Sequence, residues 1–314
     1  MPAPARPGPF LCIVGPTAVG KTALSLSLAR RWDAEIISVD SRQVYRELNI
    51  GTATPTADEQ GDVPHHFINE RSLAEGPYSA GAFADDANAR IRAIRERGRV
   101  PIVVGGSTLY VHALQEGLAD IPDVDDAVRA ELESRLVTEG KQALYDELAE
   151  VDPKQAAKAD PTKTHRVMRA LEVYHGTGQT LTSYYENQPA PPFTYQTIVL
   201  NRDRQRLYNR INMRVDRMLD AGLLDEVRAV MDGPAALDEP PLSTIGYREP
   251  IQHLQGAYDY DEMVRLMKRN TRRYAKRQLT WFRRYDDYVW RHPDAVDEAA
   301  LSRWVGATTS TAHG

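Results

Sequence analysis

Eight residues near the start of the chain, Gly15-Pro-Thr-Ala-Val-Gly20-Lys21-Thr22, have the spacing GxxxxGK[ST]. Such a loop turns successive backbone N–H groups into one concavity that cradles phosphate oxygens. The helix that follows adds the positive end of its dipole. Lys21 contributes a point charge, and the Thr22 hydroxyl is placed to serve Mg²⁺. The motif specifies phosphates, not the compound that carries them. Asp40 is the second candidate. It closes a predicted strand over 35–39 and so lies at the carboxyl edge of the sheet, where open α/β folds bind ligands. A carboxylate there can act as a general base toward a group attacking the phosphate-bearing substrate. It can equally cap a helix over 41–47. Its position in the sequence leaves both readings open.

Cationic residues form two further patterns. Arg210, Arg214 and Arg217 share one helix face and are either an anion clamp or surface arginines. Positions 265, 268, 269, 272, 273, 276 and 277 are all Lys or Arg, stepping by three and one, which makes a continuous stripe on a helix. Residues 265–291 hold ten Lys/Arg against Asp286 and Asp287, a charge of +8, so the rest of the chain carries −13 of the net −5. Tyr274, Trp281, Tyr285, Tyr288 and Trp290 interleave with the cations. A solvated helix face normally mixes signs, so this stripe favours a nucleic-acid backbone with aromatics available for stacking. His65-His66 are adjacent and point to opposite faces of an extended chain, a poor chelate. Cys12 reads as a buried strand residue, and as the only cysteine it excludes an internal disulfide.

These residues need a scaffold. Short apolar runs at 10–14, 35–39 and 100–104 alternate with helical patterns at 22–31 and 80–97, which predicts an α/β fold with a parallel sheet. Strand signals vanish from about 123 to 188, where Val128, Leu132, Leu136 and Val167, Ala170, Leu171, Tyr174 recur at helical spacing. Residues 195–200 return to strand character, and long helices follow over 203–231 and 259–285. The expected organisation is a P-loop NTPase-like core over 10–120 and 194–305, a helical insertion over 121–193, and flexible tails at 1–9 and 306–314. The chain has 314 residues, 42% hydrophobic and 26% charged, which suits a globular protein. No run of about 18 apolar residues exists to span a membrane, and the N-terminus has no secretory core, so a cytoplasmic protein is expected. The strand over 100–104 ends in Gly105-Gly106-Ser107-Thr108, not in the Asp that helps P-loop hydrolases hold Mg²⁺. ATP hydrolysis is therefore disfavoured.

Together the motifs resemble the tRNA dimethylallyltransferases (tRNA isopentenyltransferases). The matching segments are the P-loop, Ser38-Val-Asp-Ser-Arg-Gln-Val-Tyr-Arg46, Ile50-Gly-Thr-Ala-Thr-Pro55, Val63-Pro-His-His66 and Val104-Gly-Gly-Ser-Thr-Leu-Tyr110. Arg166-Val-Met-Arg-Ala-Leu-Glu-Val173, Ile245-Gly-Tyr-Arg248 and Lys276-Arg-Gln-Leu-Thr-Trp281 continue the series in family order. The resemblance implies transfer of a dimethylallyl group from dimethylallyl diphosphate to the 6-amino group of an adenine beside the tRNA anticodon, by a monomer using Mg²⁺. It implies that Asp40 takes the amine proton and that Thr17 stands near the bridging oxygen of the diphosphate. Gly15, Thr17, Ala18, Gly20, Lys21 and Thr22 would hold the diphosphate, with Thr22 on the metal and Arg210 or Arg214 joining them. Asp40, Ser41, Arg42 and Gln43 would hold the target base, with Gln43 on its edge. Ser107, Arg129, His165, Arg166 and Arg169 align with tRNA-contact positions, and Arg269, Arg272 and Lys276 belong to the basic stripe. The chain departs from the common pattern at His165, often Gln, and at Ser107, often Thr. Two other readings use the same residues: a small-molecule kinase with Asp40 deprotonating a hydroxyl, and a non-catalytic RNA-binding module.

Overall fold

In a computed structural model the described residues are 9–159 and 164–301. Residues 1–8 and 306–314 of the expected tails lie outside them. The described chain forms two compact units. One comprises the residues up to Gln115 together with those from Pro191 onward; the other is Glu116–Ala190.

The first unit is built on a six-stranded sheet, all of whose pairings are parallel. Its strands are β1 (Phe10–Val14), β2 (Ala34–Val39), β3 (His65–His66), β4 (Val100–Gly105), β5 (Tyr195–Leu200) and β6 (Val289–Arg291), in the order β3-β2-β4-β1-β5-β6. β1 and β2 are buried along their whole length, as expected for Val- and Ile-rich strands covered on both faces. The register aligns the ends of three strands: Val14 and Val39 are both level with Gly105 on β4. The residues after each strand, Gly15, Asp40 and Gly106, therefore leave the same edge of the sheet side by side.

Helix Lys21–Trp32 begins at Gly20, whose φ of 116° lies in the left-handed region that favours glycine. It packs Leu24, Leu28 and Ala29 into the core with β1 and β5 residues. The helix predicted over 203–231 is two helices, Arg204–Asp220 and Leu223–Met231, because Gly222 (φ 91°) breaks the run. The last long helix is Tyr260–Phe282. β3 and β6 have two and three residues, too short to leave a sequence pattern.

The regular elements of the second unit are all helices among its described residues: Asp126–Thr138, Gly140–Val151, Pro153–Lys158, Thr164–Thr177 and Leu181–Glu186. Leu132, Leu144, Leu148, Val167 and Leu171 form its own core. Buried Asp152 ties it together by accepting from the backbone N–H of Gln155 (3.1 Å) and of Thr182 (2.9 Å).

Candidate active site

The phosphate loop leaves β1 through Gly15 (φ 147°), where a Cβ would stand 2.6 Å from the carbonyl oxygen of Leu200. Only glycine fits that approach. Lys21 Nζ turns back and donates to the carbonyls of Gly15 and Pro16, both at 3.0 Å. Burial, helped by the charge of Arg214, pushes the Lys21 ammonium down to about 8, against the pull of Asp40. Two further carbonyls of the loop are tied by arginines. Arg202 Nε donates to Val19 O at 2.8 Å, and Arg210 Nε to Ala18 O at 2.7 Å. Arg214 Nη1 reaches Thr17 Oγ1 at 3.3 Å. Burial and the like charges of Arg210 and Arg217 lower the Arg214 pKa. Cations thus crowd the loop, and a bound diphosphate would relieve their repulsion. Thr22 stands exposed at the head of its helix.

The second half of the site grows from the end of β2. Residues 41–47 form turns, not the helix for which Asp40 was one candidate cap. Asp40 Oδ1 instead accepts from the backbone N–H groups of Arg42 (2.9 Å) and Gln43 (3.4 Å), an Asx turn. Its Oδ2 has no hydrogen-bond partner among the described residues. Ser107 Oγ accepts from the Ser41 N–H at 3.0 Å and joins the turn to the end of β4. Burial, together with the charge of Asp40, raises the Tyr274 phenol to about 12, so it stays protonated at neutral pH. Arg42 Nη1 donates to Ser41 O at 2.9 Å, while its Nε is buried without a partner among the described residues. An unpaired buried donor is costly and marks a group that a ligand can satisfy. Gln43 accepts from Ser38 Oγ (3.2 Å) and donates to the carbonyls of Thr52 and Ala53, both at 3.3 Å.

Comparison with known proteins places this geometry. The family described as IPP transferase matches residues 43–285. The chain belongs to the IPP transferase family. A tRNA dimethylallyltransferase of Salinibacter ruber is 73% identical over 284 residues, covering 90% of this chain and 87% of that one. One of Halorhodospira halophila is 46% identical, covering 95% and 97%. Among solved structures, the full-length tRNA isopentenylpyrophosphate transferase of Bacillus halodurans is 41% identical with a TM-score of 0.70, over 96% of this chain and 97% of that one. A eukaryotic dimethylallyltransferase caught acting on tRNA is 28% identical with a TM-score of 0.73, over 96% and 77%. The fold is P-loop NTPase-like, as expected.

Set within this family, two residues of the helix Tyr260–Phe282 acquire roles that the stripe pattern does not reveal. Tyr274 feels the charge of Asp40, and Gln278, 3% exposed, clamps the phosphate loop. Gln278 Oε1 accepts from the Thr17 N–H at 3.0 Å, and its Nε2 donates to Gly106 O at 2.7 Å. Gln278 lies within the matching segment Lys276–Trp281, and its type, an uncharged polar residue within a run of cations, is the remaining signal in the sequence.

The stripe is partly used within the protein. Arg265 pairs with Glu262 (2.6 Å), Lys268 with Asp216 (2.5 Å), and Arg272 Nη1 donates to Asn212 (2.6 Å). Among the described residues Arg269 bonds only its neighbour Asn270, and Lys276 and Arg277 are exposed. Lys276 also lines a cavity of about 670 Å³ with Arg202, Arg204, Tyr208, Arg283 and Trp290. On the second unit, His165 and Arg166 are exposed, Arg129 pairs with Glu133 (3.1 Å) and Arg169 with Glu172 (2.6 Å).

His66 is structural. Arg90 donates to its Nδ1 (2.8 Å), so Nε2 carries the proton and donates to buried Glu35 (2.6 Å). Cys12 is buried, and burial pushes its thiol up to about 12. No described group of three or more His, Cys, Asp or Glu could hold a metal ion. Mg²⁺ keeps several waters and takes phosphate oxygens, so the Thr22 hydroxyl beside a bound diphosphate is a fitting protein ligand. No helix among the described residues is long and apolar enough to cross a membrane.

Proposed function

We propose that the chain transfers a dimethylallyl group from dimethylallyl diphosphate to the 6-amino group of the adenine 3′-adjacent to the anticodon of tRNA. The observation that carries this reading is the shared sheet edge. A phosphate cradle and a carboxylate with an oxygen unbonded among the described residues leave it on either side of β4, which ends in Gly105-Gly106 and not in a carboxylate. Such a site suits a diphosphate that departs better than an ATP that is hydrolysed.

The adenine nitrogen attacks the allylic carbon as the carbon–oxygen bond to the diphosphate breaks. One amine proton passes to Asp40, and the electron pair of the broken bond leaves on the diphosphate oxygen. Gly15, Thr17, Ala18, Gly20 and Lys21 hold the diphosphate, with Thr17 at the bridging oxygen and Arg210 and Arg214 beside it. Mg²⁺, held by Thr22 and diphosphate oxygens, would neutralise developing charge on the leaving group. Lys21 does the same from the protein side. An anion against Lys21 raises its pKa, so the lysine becomes fully charged where negative charge grows.

Asp40, Ser41, Arg42 and Gln43 receive the base once it has been extruded from the anticodon loop, at a cost of about a few kcal/mol. Ser107, Arg129, His165, Arg166, Arg169, Arg269, Arg272 and Lys276 contact the RNA, which is read at an unstacked loop. The protein works as a monomer in the cytoplasm. Unmodified tRNA and labelled dimethylallyl diphosphate test the reading: label enters the RNA without ATP, and one diphosphate is released per prenyl group. A kinase would need ATP and no RNA, and a binding module would transfer nothing.

A further inference from the structure

Glu226 lies in the first turn of the helix Leu223–Met231, and no motif of the sequence singles it out. Its carboxylate receives four hydrogen bonds. Oε2 accepts from the backbone N–H groups of Asn49 (3.0 Å) and Ile50 (2.8 Å). Oε1 accepts from the N–H of Gly51 (3.0 Å) and the Tyr247 hydroxyl (2.6 Å). Three consecutive N–H groups converging on one anion make a nest, here filled by a side chain 175 residues away in sequence. The Tyr247 phenol is pushed up by burial and by that carboxylate, so it remains a donor.

The nest fixes the turn that comes after it. Ile50 O accepts from the Ala53 N–H (3.0 Å), Asn49 O from the Thr54 N–H (2.9 Å), and Thr52 Oγ1 donates to Leu48 O (2.7 Å). Ala53 sits at φ 53°, a left-handed conformation that a non-glycine residue keeps only when its surroundings hold it. The Tyr247 ring backs the turn closely: a Cβ on Gly51 would stand 2.6 Å from it. This turn presents the carbonyls of Thr52 and Ala53 to the two amide hydrogens of Gln43. With Nε2 tied to carbonyls and Oε1 taking one bond from Ser38, the capacity left on the Gln43 amide is acceptor capacity on Oε1.

We infer that Glu226 is a positioning residue for base selection: through the 49–53 turn it locks the Gln43 amide so that an oxygen, not an NH₂, is offered to the target base. A fixed acceptor pairs with a 6-amino group and rejects a 6-oxo group, which separates adenine from guanine or hypoxanthine at that position. A loosened turn lets the amide rotate and present a donor. This rests on the proposed place of Gln43 at the base edge.

The test uses the full-length protein, with Glu226→Gln, Gln43→Ala and the double variant. The amide introduced by Glu226→Gln offers one acceptor oxygen where the carboxylate has two, so at least one nest bond is lost and the charge with it. The probes are anticodon stem-loops bearing adenine or hypoxanthine at the target position. For E226Q the single-turnover rate should fall about tenfold at unchanged donor KM. The Kd ratio of hypoxanthine to adenine loops should move toward one, and neither effect should grow further in the Gln43→Ala background. Loss of stability alone would lower Tm, leave the base ratio of the folded fraction unchanged and add fully to Gln43→Ala; that result overturns the proposal. If E226Q does not fold, Glu226→Asp keeps the charge, retracts it by one methylene and should show a smaller loss with the same dependence on Gln43. A Gln43→Ala variant with wild-type rate and base ratio would instead refute the base-edge reading on which the proposal rests.

Discussion

Replacing Gln278 by leucine keeps the approximate volume of the side chain but removes both of its hydrogen bonds. The Thr17 N–H loses its acceptor at 3.0 Å, and the Gly106 carbonyl loses its donor at 2.7 Å. The clamp is 3% exposed, and Gly106 is buried beneath it. Leaving a buried polar group unpaired costs about 1–3 kcal/mol, so the two together cost about 2–6 kcal/mol. A domain of this size loses about 2–4 °C of Tm per kcal/mol, which puts the expected drop at roughly 4–24 °C. The phosphate loop also loses its tie to the end of β4, so the donor KM should rise about tenfold while tRNA Kd holds. Thermal unfolding by circular dichroism, with donor kinetics well below Tm, reads both effects. Gln278→Asn, which keeps the amide one methylene short, should fall between leucine and wild type. A correctly folded Gln278→Leu protein with a Tm loss below about 2 °C and an unchanged donor KM would refute the clamp.

Other outcomes rest on the same geometry. Lys21 titrates near 8 in the free protein, and a bound diphosphate raises that value, so binding takes up a proton above pH 8. The donor Kd should therefore weaken by up to about tenfold per pH unit from 8 upward, and Lys21→Met should abolish the slope; a pH-independent Kd between about 7 and 9.5 contradicts this. Charge reversal of Arg269 and Lys276, which have no carboxylate partner among the described residues, should flatten the log–log salt dependence of tRNA binding by about one unit per lost phosphate contact. Donor affinity should stay unchanged, and an unaltered salt slope in a folded variant would remove these two cations from the RNA surface.

Features that repeat or sit at fixed offsets are legible in the amino-acid sequence alone. β1, β2, β4 and β5 announce themselves as apolar runs, and the phosphate loop is readable because glycine spacing and flanking elements agree. Asp40 is legible as a strand-end residue. Whether it caps or acts is not, because the answer lies in how its two oxygens are used. Residues that act through distant partners leave almost no trace. Gln278 meets Thr17 across 261 residues and Glu226 meets Gly51 across 175, and neither distance has a period. The basic stripe shows the limit of counting signs on one helix, since Asp216, which neutralises Lys268, comes from another helix. The break at Gly222 is hidden because apolar spacing continues on both sides of it.

The most direct measurement is the single-turnover rate of Asp40→Asn on a preformed complex with donor and unmodified anticodon stem-loop. The asparagine carbonyl can still accept from the N–H groups of Arg42 and Gln43, so the turn survives while the base is lost. Removing a general base costs about 10²–10⁴-fold, and that loss is expected here at wild-type tRNA Kd and wild-type Tm. A variant that transfers the dimethylallyl group within a few-fold of the wild-type rate would show that Asp40 builds the turn and does not take the proton.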